Sequence, residues 1–233
     1  RKNDLNNEFR GFFRQNDICE GRGYFLRHLY SSSINILSML NIYLILLLLC
    51  FLGSFRPMFL KNFLWLYFFY IICVEILVNF YSVNDQIYNY SILVYIFYFS
   101  FYYFKKVNKK LLIAISAISF AVSFYFVFLS NHFENYNINA GISLSIFYIL
   151  LSLQWFFTHF NKTDRKIQQK MGFWISFSLL LWAVAFIFRI IPMQFFNIKD
   201  KEFLLVITQI YQSFTIFSYV IFLVGLLFSK ADE

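Results

Sequence analysis

Proline, glycine and cysteine are all scarce in this chain. Its 233 residues include two Pro, seven Gly and three Cys. So little Gly and Pro excludes collagen-like and low-complexity chains. No two glycines have GxxxG spacing, so that helix-pairing motif is missing. Cys19, Cys50 and Cys73 have neither metal-knuckle nor disulfide-framework spacing. Cys50 and Cys73 lie in apolar runs and read as small core residues. Histidine is as rare, with His28, His132 and His159 only. His132 and His159 fall at opposite ends of one apolar run and cannot share a metal, so no metal site is expected. HExxH, GxSxG, P-loop and GxGxxG motifs are all absent.

Charge is the most telling shortage. Asp, Glu, Lys and Arg make up 14% of the chain, against about 25% in soluble domains. Hydrophobic residues make up 60% and aromatics 24%, with 35 Phe and 17 Tyr. A soluble fold of this length cannot hide so much apolar surface, and disorder and coiled coil are excluded with it. The reading is an all-α polytopic membrane helix bundle. Of the net charge of +8, two fall in residues 1–33, and the charges of the remaining chain sit nearly all in short breaks between apolar runs. That is loop asymmetry and not a nucleic-acid-binding face.

Seven runs are long enough to be transmembrane helices: about 34–54, 60–81, 87–104, 111–130, 138–160, 171–191 and 203–228. Pro57 and Pro192 fall at run ends and punctuate helices without kinking their interiors. The first run is too long for a cleaved signal peptide. Eleven Lys and Arg lie in the 1–2, 3–4 and 5–6 breaks and after the last run, and two lie in the breaks on the other side. The expected topology is seven spans, amino terminus outside and carboxyl terminus cytoplasmic. The inner (plasma) membrane of a cell is the expected location, with the mitochondrial inner membrane as the lesser alternative. Residues 1–33 form a separate polar segment of mixed charge, expected to be non-native or disordered; residues 34–229 form the transmembrane domain. Small residues in the fourth span (Ala114, Ser116, Ala117, Ser119, Ala121, Ser123) predict that it lies at the centre of the bundle.

Two ionisable side chains lie within the runs, Glu75 and Arg189. Charges in hydrocarbon cost at least about 2.5–3.5 kcal/mol each on insertion scales, so they should face the interior and find partners. Glu75 is 14 residues past Lys61 and Arg189 is 19 past Lys170. At 1.5 Å per residue these are depths of about 21 and 28 Å, in the outer half of a core about 30 Å thick. The two can pair if spans two and six are neighbours. Asn79 and Ser82 share a helix face with Glu75, and Gln209 and Gln212 lie near that depth on span seven. Ser178, Trp182 and Ala185 precede Arg189 on its own face. The candidate ligand-binding residues are Glu75, Asn79, Arg189, Gln209 and Gln212, lining an outward pocket between spans two, six and seven. The structural alternative is an ion pair with amides that fixes helix packing. Tyr88, Tyr90 and Tyr95 read as aromatic belt and core. No catalytic residue and no cofactor is expected. Span seven has no Lys for a retinal Schiff base, and no chain of carboxylates crosses the bundle as in a proton pump.

Between Tyr148 and Phe228 the charged turn NKTDRKIQQK is followed by FWISFSLLLW and FRIIP. With seven spans and very short loops, this stretch resembles small seven-helix proteins of Bacteroidota-type bacteria. The whole resembles the seven-transmembrane sensor modules that form the membrane halves of histidine kinases. The resemblance implies a sensory or accessory module without a catalytic domain, and it carries over no functional residue. Five residues follow the last run, so the resemblance further implies either a domain cut away or a separate cytoplasmic or membrane partner. Partners besides the lipid bilayer would meet the basic loops. The other readings are a structural subunit of a larger membrane complex and a small transporter or lipid-active enzyme.

Overall fold

In hydrocarbon each segment must satisfy its own backbone hydrogen bonds, and a helix does so unaided. The computed structural model of the chain describes residues 41–60, 62–79, 81, 84, 86–129, 136–160, 167–195 and 201–229. The polar segment 1–33, Ser82, His132 and Glu134 lie outside them. Among the described residues there is no strand, and there are seven helices of more than two turns. They are α1 (Asn41–Ser54), α2 (Leu64–Asn79), α3 (Gln86–Tyr103), α4 (Lys109–Phe124), α5 (Ile138–Phe160), α6 (Met171–Phe195) and α7 (Lys201–Phe228). α2 to α7 each coincide with one apolar run to within a few residues, and α1 falls within the first run. Pro57 opens a single helical turn, Pro57–Leu60, where a missing N–H costs nothing. Pro192 differs from expectation: α6 runs three residues beyond it, to Phe195.

Among the described residues, four helices are long and apolar enough to cross a membrane: α4 with its extension to Leu129, α5, α6 to Pro192, and α7 from Val206. α1 and α2 are apolar but shorter. α3 has 18 residues and carries six tyrosines. The outer surface has membrane character. Phe97, Phe157 and Phe188 are 70% exposed or more, and Ile118 is 66% exposed. Water would not tolerate contiguous apolar surface on this scale.

Consecutive helices run antiparallel. α6 packs most extensively against α5 and α7. α3 holds the middle: Tyr70 of α2 bonds its Ser91 at 3.0 Å, its Ser100 bonds Ser116 of α4 at 2.7 Å, and its Tyr103 bonds Ser176 of α6 at 2.7 Å. Its Phe99 ring meets Tyr148 of α5 edge-on at 5.3 Å. α1 lies against α2 and α7, with Phe51 and Phe69 rings 6.2 Å apart and the Cys50 thiol directed at the Tyr219 carbonyl at 3.6 Å.

The expectation for the fourth span is overturned. α4 is peripheral, with 22% of its apolar window buried against 61% for α5. Its small residues divide between two faces. Ser116, Ser119 and Ser123 meet α3 and α5, where Ser123 donates to Ser143 at 3.0 Å and Ser143 to the Ser119 carbonyl at 3.4 Å. Ala114, Ala117 and Ala121 face away from the bundle. Small size permits close approach but does not say on which side the neighbour lies. α4 ends in a π-helical turn, Tyr125–Leu129. The Phe126 carbonyl within it accepts from Asn137 Nδ2 at 2.8 Å.

One end of the bundle is tied by cross-links. Arg56 Nη1 donates to the Leu226 and Leu227 carbonyls at 2.7 and 2.8 Å, so a cation caps the negative end of α7. Gln154 Nε2 donates to the Asn108 carbonyl at 2.9 Å, and Trp174 Nε1 to the Gln168 carbonyl at 2.8 Å. Lys105, Lys106, Lys109, Lys110 and Lys170 all lie at this end.

At this end α6 and α7 meet at Gly225. A Cβ there would fall on Trp174 Cβ, with Trp174 Cγ at 2.8 Å, whereas a Cβ on Gly53 would meet Leu226 at an ordinary 3.5 Å. Gly225→Ala is expected to destabilise by about 1–3 kcal/mol through overpacking. Gly53→Ala should be neutral or mildly stabilising, since Ala is the better helix former by about 1 kcal/mol. Thermal unfolding of the two purified variants in the same detergent checks the contrast.

Candidate functional site

A carboxyl group in an apolar interior needs donors around it. The Glu75 carboxyl has three. Tyr43 of α1 donates its hydroxyl to Oε1 at 3.1 Å. Asn79, one turn on, donates Nδ2 to Oε2 at 3.0 Å and to the Glu75 carbonyl at 2.9 Å. Tyr88 of α3 donates to Oε2 at 3.3 Å. The Tyr43 ring stands edge-on to Tyr219 of α7 at 5.3 Å. One side chain thus gathers α1, α2 and α3, and through Tyr43 it reaches α7.

Aromatic residues surround this node. Tyr67, two turns before Glu75, stacks on Tyr98 at 5.1 Å and lies beside Phe222 at 6.3 Å. The α2–α7 register follows. Glu75 is eight residues from Tyr67, and Gln212 is ten from Phe222 on the antiparallel neighbour. At 1.5 Å per residue these are about 12 and 15 Å, so Gln212 lies within one helical turn of Glu75 in depth. Gln212 shares a face with Tyr219, seven residues on. Its Oε1 is buried without a hydrogen-bond partner among the described residues. Gln209 is half-buried, and its carbonyl accepts from Ser213 at 2.9 Å.

Arg189 belongs to a different face. Its guanidinium carbon lies 4.8 Å from the centroid of the Tyr211 ring. The same α6 stripe meets α7 below: Ser178 donates to the Ser218 carbonyl at 2.8 Å, and the Trp182 ring lies 6.5 Å from Tyr211. Just before α5, burial and the neighbouring Tyr211 push the Tyr136 phenol above its ordinary range, and Arg189 pulls it partly back.

The predicted pairing of Glu75 with Arg189 is therefore corrected. The carboxyl oxygens take their hydrogen bonds from Tyr43, Asn79 and Tyr88. α7 separates the two charges. Its Gln212–Tyr219 face turns toward α1 and α2, and its Tyr211–Ser218 face turns toward α6. Glu75, Asn79 and Gln212 come together in depth, while Arg189 stands apart. The cavities follow the same division. One of about 390 Å³ lies between α6 and α7 and includes Arg189 and Tyr211. One of about 420 Å³ lies between α4 and α5. Neither includes Glu75.

Tyr43, Tyr88 and Tyr219 were not among the predicted site residues. Tyr88, read with Tyr90 and Tyr95 as belt and core, donates to Glu75. Tyr90 is 47% exposed, with its ring 5.7 Å from Phe128. Tyr95 packs against Tyr67 at 5.8 Å, as a core residue should. A signal was present: a phenol deep in an apolar run must find a polar partner. Among the described residues no group of three or more His, Cys, Asp or Glu side chains could hold a metal. His159 stacks on Trp155 at 4.3 Å, and its Nδ1 lies 3.0 Å from the Trp155 carbonyl.

Removing the acceptor strands the donors around it. Glu75→Ala should destabilise by about 1–3 kcal/mol. Glu75→Gln, which keeps one acceptor oxygen, should cost clearly less. Tyr43→Phe should have almost no further effect in the Glu75→Ala background, because its hydroxyl has already lost its partner. A double-mutant cycle of unfolding free energies in detergent measures all three.

The chain matches no protein-family model, no curated protein and no solved structure.

Proposed function

We propose that this chain is a seven-span accessory or sensory protein of a cell's inner membrane, acting through a partner and without chemistry of its own. In this reading the amino terminus lies outside and the Arg56–Lys170 end faces the cytoplasm. The carrying observation is the Glu75 node. An intramembrane carboxyl held by tyrosines from two other helices is costly to maintain, and such groups mark functional positions more often than packing alone requires. The node touches α1, α2 and α3 at one depth and reaches α7 through Tyr43. α7 in turn is clasped at its far end by Arg56. A ligand or partner that altered the node would bias helices that end among the basic turns. The resemblance to seven-transmembrane sensor modules agrees with this arrangement.

A second reading, a structural subunit of a larger membrane complex, has its own support. Ala114, Ala117 and Ala121 expose a small-residue stripe on the outer face of α4, the kind of surface on which another helix packs closely. The mitochondrial inner membrane is a location this reading also allows. A small transporter or lipid-active enzyme is a third reading, which no specific observation favours.

Two experiments test the proposal. In a cysteine-free background, a cysteine at exposed Asn84 should label from outside intact cells, and one at exposed Lys109 only after permeabilisation. The reverse pattern would overturn the orientation. Affinity purification of the tagged full chain in mild detergent should recover a stoichiometric protein partner. Glu75→Gln should weaken that recovery while leaving the fold intact. Recovery of the chain alone would defeat both accessory readings.

A further inference from the structure

Besides the lateral grooves between α4 and α5 and between α6 and α7, the bundle carries a strongly charged surface at the α3–α4 turn. The turn reads Lys105, Lys106, Val107, Asn108, Lys109, Lys110. Buried Val107 anchors it. The Lys106 N–H donates to the Tyr103 carbonyl at 2.8 Å. The Asn108 side chain caps α4 by accepting from the Lys110 N–H at 3.1 Å. Gln154 of α5 donates to the Asn108 carbonyl at 2.9 Å. The backbone that carries the lysines is therefore fixed by three elements. Lys106 lies over the Tyr102 ring, 3.5 Å from its centroid. Lys105, Lys109 and Lys110 are exposed. Lys109 Nζ stands 5.4 Å from the centroid of the Phe104 ring, a contact that leaves the three donors of an ammonium in place.

The electrostatics of this turn are unbalanced. Lys109 and Lys110 occupy the first turn of α4, at the positive end of its macrodipole, where a carboxylate is favoured and a cation is not. No acidic residue lies in that turn. Among the described residues the one carboxylate side chain is Glu75, eleven residues into α2 from Leu64, about 16 Å away along the helix. The apolar neighbours indicate where a balancing anion would come from. Phe101, Phe104 and Leu111 are 62, 41 and 50% exposed, within about one helical turn of the lysines. Such rings and aliphatic chains belong at the edge of the hydrocarbon, so the lysines beside them stand at headgroup depth.

We propose that the α3–α4 turn binds an anionic phospholipid, with the phosphate on Lys105, Lys109 and Lys110 and the acyl chains against Phe101, Phe104 and Leu111. Charge complementarity favours an anionic over a zwitterionic lipid, and the fixed backbone makes the turn a site rather than a diffuse attraction. The site is distinct from the Glu75 node, and neither the seven-span topology nor a protein partner is needed for it.

The test uses the full chain, purified in mild detergent and exposed to equal amounts of phosphatidylglycerol and phosphatidylcholine, with bound lipid read by native mass spectrometry. The wild type should retain phosphatidylglycerol about tenfold over phosphatidylcholine, well within reach of three lysines that each favour an anionic surface about fivefold. The triple variant Lys105→Gln, Lys109→Gln, Lys110→Gln should reduce that preference to about twofold or less. Its thermal unfolding without lipid should be no earlier than that of the wild type, because like charges at a helix N-terminus have been removed. A control triple variant, Arg1→Gln, Lys2→Gln, Arg10→Gln, removes the same charge from the amino-terminal segment and should leave the preference unchanged. Phosphatidylglycerol with a photoactivatable group near its phosphate should cross-link to the wild-type α3–α4 turn, a measurement that needs no variant to fold. Equal retention of the two lipids by the wild type, an equal fall in the control variant, or cross-links that avoid the turn would each overturn the proposal. So would an undiminished preference in the lysine variant; loss of a co-purifying protein in that case would assign the turn to an acidic protein surface instead.

Discussion

Hydrocarbon offers no hydrogen bonds, and that constraint arranges nearly every polar side chain in this bundle. Some hydroxyls settle the matter within their own helix. Ser145 returns its proton to the Gly141 carbonyl at 3.0 Å, and Thr215 to Tyr211 at 3.0 Å. Others settle it with a neighbouring helix, and these set the packing. The Ser100–Ser116, Ser123–Ser143, Tyr103–Ser176 and Ser178–Ser218 bonds each join two helices at a defined height. Each bond is worth on the order of 0.6 kcal/mol in a membrane protein. Their value lies in register, because a helix that slid along its neighbour would break several at once.

Glu75 is the most demanding case. A carboxyl group accepts at two oxygens, so no single neighbour satisfies it. Tyr43, Asn79 and Tyr88 share the task. Tyrosine suits this role because its ring packs like a core residue while its hydroxyl donates. The many tyrosines of α3 then read as more than bulk. Tyr88 and Tyr103 each make a polar bond to another helix, and Tyr98 donates to the Asn62 carbonyl at 3.3 Å.

α7 organises the functional picture by having two occupied faces. One turns Gln212 and Tyr219 toward the carboxyl node, and the other turns Tyr211 toward Arg189 and the lateral groove. Its carboxyl-terminal end is held by Arg56. α7 thus touches the carboxyl node through the Tyr43–Tyr219 ring contact, lines the α6–α7 groove on its other face and ends at a basic turn.

Composition and run length alone determined that this is a membrane helix bundle, and they located its helices to within a few residues. The reason is that hydrocarbon imposes a length and an apolarity on each segment independently of its neighbours. The same logic marked Glu75, Asn79 and Arg189 as residues in need of partners. Which partners they have was decided by tertiary structure. The i and i+4 spacing of Glu75 and Asn79 is local and legible, whereas Tyr43, Tyr88 and Tyr211 come from other helices. The small residues of α4 are the mirror case: their size was evident, but the side they face was not. Helix order and rotation are set by the sum of many weak side-chain contacts between segments, and no single segment contains that information.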